Sequence, residues 1–314
     1  MLLLASCGTG DLSLENDPSG ESAPVSDTGV ATGDEGDAAQ SSTSTVPLVD
    51  RLPTPGIGLG VLELDGYAVP ILQRTVGGWV VLSPCGNEVE VADGLERTGA
   101  HLVLDPGPEV APIARAIERR LAASGVNTVL SRWANVSIDA TTRAALVEPS
   151  GAHVFVTLRL VAGNAAAAGP AEVAAVHQID SAESQRLGGL LHASLTAAMN
   201  ELAPVWPTLN EPGVYPLLNQ RGSDYFVVLR ETTGTAAVVV DIPGLGAPAV
   251  TELLSTADGQ AAMADAVAAA IELFLGSEAS GNGYIEPAEL VRDAPTGGGS
   301  AECDDPLLPP PVDE

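Results

Sequence analysis

The sequence predicts an α/β fold: a mostly parallel, twisted sheet flanked by helices on both faces and preceded by a small β module. From residue 100 onward, short apolar runs alternate with segments whose apolar residues recur every three or four positions. This alternation is typical of a parallel sheet covered on both sides, because a helix joins each strand to the next. Between residues 58 and 91, turn residues alone separate the apolar runs, which indicates strands joined by tight turns.

Composition divides the 314 residues into five parts. We predict a lipoprotein signal remnant at 1–7, a disordered acidic tether at 8–50, the β module at 51–98, the α/β domain at 99–276 and a disordered acidic tail at 277–314. The chain has 41 acidic and 13 basic residues, for a net charge of −28. Such a chain is a poor partner for nucleic acid or for an anionic membrane surface, because binding phosphate requires clustered positive charge.

Each element of the α/β domain follows from its local pattern. The predicted strands are Leu102–Leu104, Val126–Leu130, His153–Leu158, Ala171–Ile179, Tyr225–Leu229 and Ala236–Val240. Helices are predicted at Val110–Leu121, Thr141–Val147, Leu187–Leu202 and Met263–Phe274, the last ended by Gly276, and the first, third and fourth have one apolar face each. The segment Asp180-Ser181-Ala182-Glu183 resembles a capping box, which predicts the start of the third helix.

One junction stands out as a candidate binding site. The buried strand Leu102–Leu104 runs into Asp105-Pro106-Gly107, and a helix begins a few residues later. In an α/β protein such a junction lies at the carboxyl end of a strand, where ligands usually bind.

The order of these segments resembles a known family, the zinc-dependent N-acetylmuramoyl-L-alanine amidases of bacterial cell-wall turnover. The resemblance extends from about His101 to Gly276 and depends on order and spacing, with no single motif intact. The family's Asp-Pro-Gly-His-Gly-Gly turn aligns with Asp105–Glu109, and the Thr-Arg that closes the next strand aligns with Ser131-Arg132. The family's arginine-bearing short helix is matched by Arg143. Its Ser-Ile-His-Ala-Asn, Asn-Arg-Gly and Val-Glu-x-Gly-Phe segments align, in that order, with Val156–Leu160, Asn219–Gly222 and Val240–Leu245.

The departures from the family's pattern fall on its chemistry. The resemblance implies a zinc ion held by two histidines and a glutamate, with an open position for the attacking water. Here Pro108 and Arg159 stand at the two histidine positions, and the loop with the zinc-binding glutamate is missing. Asp241 stands at the position of the general-base glutamate, so it is the one candidate catalytic residue, for an activity that the other departures put in doubt.

These departures predict a site without zinc or another cofactor. The four histidines (His101, His153, His177 and His192) lack metal-ligand spacing, and we expect ordinary structural or surface roles for them. If the family topology holds, Arg159 takes the place of the zinc and pairs with Asp241 or Glu109. The predicted ligand-binding residues are Asp105, Glu109, Arg159 and Arg221.

The three cysteines bear on where the protein resides. Leu4-Ala5-Ser6-Cys7 follows an apolar run and resembles a bacterial lipobox, which predicts lipidation of Cys7 and export; the alternative is a chance cysteine after an apolar start. Cys85 and Cys303 then remain, and the sequence leaves open whether they form a disulfide in an oxidising compartment.

Together these expectations describe a lipid-anchored protein on the outer face of the cytoplasmic membrane or in the cell envelope. Its amidase-like domain is predicted to be catalytically inactive and to bind peptidoglycan, a muropeptide or an envelope protein. Two alternatives remain open: an active amidase with a rearranged metal site, and a regulator of an active amidase.

Overall fold

The structure is a computed structural model that describes residues 47–285, 290–292 and 303–308. A small antiparallel sheet forms its N-terminal part. Its strands are β1 (Val61–Glu63), β2 (Ala68–Arg74), β3 (Trp79–Leu82), β4 (Glu88–Val91) and β5 (Leu95–Arg97). They lie in the order β4-β3-β2-β1-β5, and each neighbouring pair is antiparallel. Gly66 makes the reversal between β1 and β2 with a φ of 97°, a conformation that glycine adopts easily. The predicted β module is confirmed.

The larger α/β domain follows in the chain. Its strands are β6 (Leu102–Pro106), β7 (Thr128–Leu130), β8 (Val154–Val161), β9 (Asn164–Gly169), β10 (Ala174–His177), β11 (Trp206–Thr208), β12 (Gly213–Asn219), β13 (Ala236–Pro243) and β14 (Leu290–Arg292). Its helices are α1 (Ala111–Ala122), α2 (Ala140–Ala144), α3 (Val147–Ser150), α4 (Ala182–Leu202), α5 (Val227–Arg230), α6 (Pro248–Ser255) and α7 (Ala257–Gly276). A 3-10 turn, Pro108–Val110, leads into α1.

The main sheet has seven strands in the order β14-β12-β10-β13-β8-β6-β7. Only the pairing of β10 with β13 is antiparallel among these neighbours. The predicted mostly parallel sheet is therefore confirmed, with one addition: β10, β12 and β14 run opposite to the other four strands. Strands β9 and β11 form a separate two-stranded sheet that the sequence pattern did not predict.

Alternation along the strands divides the apolar side chains between two faces of the main sheet. In β8, Val154, Val156 and Leu158 enter the first core, under α1, α4 and α7, whereas Phe155 enters the second core on the opposite face. Helices α2, α3 and α5 contribute to the second core, and β2 of the β module contacts α2 and α3. Helices on both faces were predicted, and this prediction is confirmed.

Two local predictions were wrong. The segment predicted as the strand Tyr225–Leu229 contains the short helix α5, because a short apolar run does not distinguish a strand from one buried helical turn. The predicted capping box starts one residue late: Ser181 is the N-cap and accepts a hydrogen bond from the amide of Ser184, while Asp180 lies outside the helix with a φ of 60°. Glu183 forms an ion pair with Arg186 instead of closing the box.

A disulfide between Cys85 and Cys303 joins residues 218 positions apart in the chain. The Asp305 carboxylate accepts hydrogen bonds from Ser83 and Asn87 in the turn between β3 and β4. Leu307 packs against a third apolar cluster, which consists of Leu62, Tyr67, Val69, Ile71, Val81 and Ile138. The segment Cys303–Leu308 is therefore docked on the β module, and the disorder predicted for the whole tail does not hold here.

Some predictions concern residues outside the described ranges. These are the lipidation of Cys7, residues 8–46 of the tether, and residues 286–289, 293–302 and 309–314 of the tail. In the described part of the chain, α7 is the one helix with the length and apolar composition of a membrane span. Its buried side chains, such as Met263, Val267 and Ile271, lie in the first core against α1 and α4, as in a core helix of a folded domain.

Candidate functional site

Four polar side chains meet at the carboxyl ends of β6, β8 and β13. The register pairs Asp105 with Thr157, and Arg159 with Asp241. Each of the four alternates with residues of the first core, so their side chains project from the face of the second core. The structure therefore brings together three of the predicted site residues, Asp105, Arg159 and Asp241, through strand register alone.

Asp105 forms the floor of this site. Its carboxylate is fully buried and accepts hydrogen bonds from Ser131 Oγ at 2.6 Å and from Thr157 Oγ1 at 2.9 Å, and it forms an ion pair with Arg143 Nη1. A buried carboxylate requires such partners, because desolvation penalises an unpaired charge. Asp105 was predicted to bind a ligand, but its burial and its partners give it a supporting role beneath the site.

Two further arginines reach the site from neighbouring segments. Arg132 follows β7 and donates from Nε to Pro106 O at 2.8 Å and from Nη1 to Val136 O at 3.1 Å. Arg143 in α2 also donates from Nε to Ile138 O at 3.2 Å. Burial lowers the pKa of Arg132, and within the described residues no carboxylate lies within ion-pair distance of it. Neither arginine was predicted as a site residue, although both occupy positions that carry the family resemblance.

Arg159 and Asp241 form a bidentate pair at the mouth of the site. Arg159 donates from Nε to Oδ1 and from Nη2 to Oδ2 of Asp241, both at 2.7 Å. The guanidinium carbon also lies 4.5 Å from the centre of the Phe226 ring, at the N-terminus of α5. The two parallel hydrogen bonds and the stacked ring fix the orientation of the guanidinium. Of the two partners that the sequence allowed for Arg159, the structure selects Asp241.

A cavity of about 250 Å³ lies beside this pair. Its lining includes Arg132, Arg143, Arg159, Thr157, Pro108 and Glu109. Pro108 and Glu109 are exposed in the 3-10 turn before α1, and in the described part of the chain Glu109 forms no hydrogen bond or ion pair. The predicted residue Glu109 thus joins the site as its unpaired acid.

The side chains at this edge do not fit the zinc ion that the resemblance implies. Within the described residues, no three His, Cys, Asp or Glu side chains are grouped so as to hold a metal. Three of the five polar side chains that line the cavity are guanidinium groups, which carry a permanent positive charge and have no lone pair for a metal.

The histidines lie elsewhere in the fold. His101 and His153 precede β6 and β8, at the amino ends of these strands, and His177 ends the antiparallel β10 close to the start of β13. His101 Nδ1 accepts from the amide of Asn127, while the other two rings contact the carbonyl oxygens of Thr54 and Gln178. Burial lowers the pKa of His101 and of His177. His192 lies on α4, where its ring contacts Asn282.

Arg221 is the predicted site residue that the structure does not bring to the others. It lies exposed in the turn after β12. Because β12 runs opposite to β8 and β13, this turn lies at the other edge of the sheet.

A larger cleft, of about 1160 Å³, lies at that other edge. Its two arginines, Arg51 and Arg186, donate to backbone carbonyl oxygens of residues 274–279, around the end of α7. They hold the chain that leaves α7, so we regard the smaller, arginine-lined cavity as the candidate site.

Comparison with known proteins agrees with the fold. The family model described as N-acetylmuramoyl-L-alanine amidase matches residues 109–273, just over half of the chain. No curated protein matches the chain as a relative.

Solved structures with a similar fold include three bacterial amidases. The catalytic domain of CwlV from Bacillus (Paenibacillus) polymyxa var. colistinus is 21% identical, with a TM-score of 0.44 over 56% of this chain and 98% of that one. CwlD from Clostridioides difficile, in complex with the GerS lipoprotein, is 17% identical, with a TM-score of 0.45 over 55% and 97%. AmiC2 from Nostoc punctiforme is 18% identical, with a TM-score of 0.41 over 55% and 96%.

Proposed function

Because the chain belongs to the N-acetylmuramoyl-L-alanine amidase family, we propose that it is a cell-envelope protein that binds peptidoglycan through its amidase-like domain without hydrolysing it. The observation that carries the proposal is the bidentate pair of Arg159 and Asp241 at the carboxyl edge of the sheet. Arg159 stands where the family resemblance expects a zinc-binding histidine, and Asp241 where it expects the general base.

The chemistry of these two residues argues against metal-assisted hydrolysis. Zinc in such a site activates a water molecule and stabilises negative charge on the amide oxygen. A guanidinium repels a dication and does not ionise water. The oxygens of Asp241 that a general base would use accept hydrogen bonds from Arg159. What remains is a set of positively charged donors suited to anionic groups of a cell-wall ligand.

A binding experiment and a metal analysis test this proposal together. Purified full-length chain, with Cys7→Ser to keep it in solution, is incubated with insoluble peptidoglycan, sedimented, and analysed for bound zinc. We expect the protein in the pellet, no released peptide and no tightly bound zinc. Arg159→Ala should reduce the sedimented fraction, whereas Arg119→Ala, which removes an exposed arginine of α1, should not. One zinc per chain, together with peptide release that a chelator abolishes, would instead support an active amidase.

Export and lipid attachment at Cys7 are a separate part of the proposal. The disulfide between Cys85 and Cys303 supports an oxidising compartment, because such bonds are rare in the bacterial cytoplasm. We expect Cys7→Ser to move the protein from the membrane fraction to the soluble fraction of the producing cells. Unchanged fractionation of this variant would contradict lipid attachment.

A further inference from the structure

We propose that the cavity at the carboxyl edge binds the zwitterionic end of an amino acid, with its carboxylate on the arginines and its ammonium group on Glu109. This inference rests on the proposed function and names the class of ligand group that the site recognises.

The three arginines that line the cavity have more hydrogen-bond donors than the described residues use. Within the described residues, Arg132 and Arg143 donate from Nε and Nη1, and Arg159 donates from Nε and Nη2. Each guanidinium therefore keeps one terminal nitrogen without a hydrogen-bond partner in this part of the chain. None of these three nitrogens is sealed from solvent. Planar groups of this kind bind a carboxylate with two parallel hydrogen bonds.

Arg132 has the strongest need for an anion. Arg143 and Arg159 are neutralised by Asp105 and Asp241, whereas in the described chain Arg132 donates to two carbonyl oxygens alone. A charge that is largely removed from water is costly without a counter-ion, and the lowered pKa of Arg132 has this same cause. The carboxylates of Asp105 and Glu109 favour the charge of Arg132 through space, but within the described residues neither accepts a hydrogen bond from it, so a ligand carboxylate beside Arg132 would supply a directly bonded counter-ion.

Glu109 is the residue that would bind the ammonium group of the ligand. It lines the same cavity and interacts electrostatically with Arg132, yet the two side chains do not form an ion pair within 4.0 Å. The cavity therefore separates an unpaired acid from a base without a carboxylate partner. A ligand with an ammonium and a carboxylate group attached to the same carbon atom, as in an α-amino acid, is complementary to this arrangement. A phosphate dianion is less suitable, because Glu109 would repel it.

The size of the cavity sets how much of a ligand it encloses. Its volume of about 250 Å³ lies below the roughly 300–1,000 Å³ of pockets that enclose whole small molecules. The cavity is therefore suited to the end of a longer ligand, with the remainder outside.

Titration of the full-length chain with small probes tests the inference, with amide chemical shifts as the readout. Alanine carries both charges, N-acetylalanine lacks the ammonium, and alaninamide lacks the carboxylate. We expect alanine to shift the amide resonances of Gly107, Glu109 and residues 157–161, and to bind at least tenfold more tightly than either analogue. Equal binding of the three probes, no binding of alanine, or tighter binding of inorganic phosphate would overturn the inference.

A variant of an exposed side chain keeps the test independent of folding. Glu109→Gln should weaken alanine binding about tenfold and abolish the preference for alanine over N-acetylalanine, because the ammonium group loses its partner. Glu201→Gln, an exposed glutamate at the end of α4, is the matched control and should change neither value. Unaltered selectivity in Glu109→Gln would refute the role of Glu109.

The sedimentation experiment separates this inference from the proposed function. Sedimentation with peptidoglycan but no alanine binding would reject the zwitterion site and leave the proposed function standing. Alanine binding without sedimentation would reject the proposed function and retain the site.

Discussion

Two aspartate–arginine pairs lie one strand apart on the same face of the sheet, and they differ in burial. The Asp105 side chain is 0% exposed, Arg143 is 18% exposed, and two hydroxyl groups also donate to the carboxylate. The Asp241 side chain is 16% exposed and Arg159 is 35% exposed, beside the cavity. We call the buried pair, Asp105–Arg143, the framework pair and the more exposed pair, Arg159–Asp241, the cavity pair. The two pairs have the same residue types and differ in their access to water.

The largest expected effect breaks the framework pair. Asp105→Ala leaves Arg143, Ser131 and Thr157 without their shared acceptor, so we expect the free energy of unfolding to fall by about 3–5 kcal/mol. Asp241→Ala, the matched change in the cavity pair, should cost about 1 kcal/mol or less, because water solvates the remaining charge. Urea denaturation measures both values. Equal losses would show that burial does not separate the two pairs.

Loss of the disulfide is expected to affect the framework pair indirectly, through residues 136–138. Val136 and Ile138 belong to the third apolar cluster or pack on it, and the disulfide holds Leu307 against the same cluster. The carbonyl oxygen of Val136 accepts a hydrogen bond from Arg132, and that of Ile138 accepts one from Arg143. Replacing Cys85 and Cys303 by serine should lower the free energy of unfolding by about 2–4 kcal/mol.

Hydrogen exchange locates the effect of this double replacement. We expect faster exchange in residues 131–143, which hold the framework arginine, and little change around Arg159 and Asp241 in the central strands. Equal acceleration in both regions would contradict a local link between the disulfide and the loop.

A smaller effect concerns the cavity pair itself. Arg159→Lys keeps the positive charge but loses the two parallel hydrogen bonds to Asp241 and the planar contact with Phe226. A double-mutant cycle of Arg159→Lys and Asp241→Asn should give a coupling energy of about 0.2–1 kcal/mol, as for other partly exposed pairs. A coupling of several kcal/mol would place this pair with the framework.

The smallest effect lies at the opposite edge of the sheet and depends on pH. Burial lowers the pKa of His177, so the unfolded chain takes up a proton first as the pH falls below about 6.5. The contribution of His177 to stability is therefore complete above that pH and is lost as the pH decreases further. His177→Gln should reduce this dependence in urea denaturation between pH 5 and 7.5. An identical pH dependence in the variant would assign the effect to other groups.

Strand register explains why much of the site was predictable. Asp105, Arg159 and Asp241 end apolar strands, so the sequence already placed them at one edge of the sheet. Arg221 was predicted as a ligand-binding residue from the family resemblance, and its place at the other edge follows from the reversal of β10 and β12, which leaves no trace in their apolar pattern. The role of Arg132 depends on how the loop of residues 131–139 packs, and residue order does not encode that packing. The helix α5 was not predicted either, because its four residues are too few to show helical periodicity in the sequence.

The disulfide has a consequence for the order of assembly during synthesis. Cys303 leaves the ribosome 218 residues after Cys85, so the first sheet to emerge is the last to receive its covering segment. Until then, the third apolar cluster lacks the contact with Leu307. The disulfide can therefore close the β module only after the whole α/β domain has been synthesised.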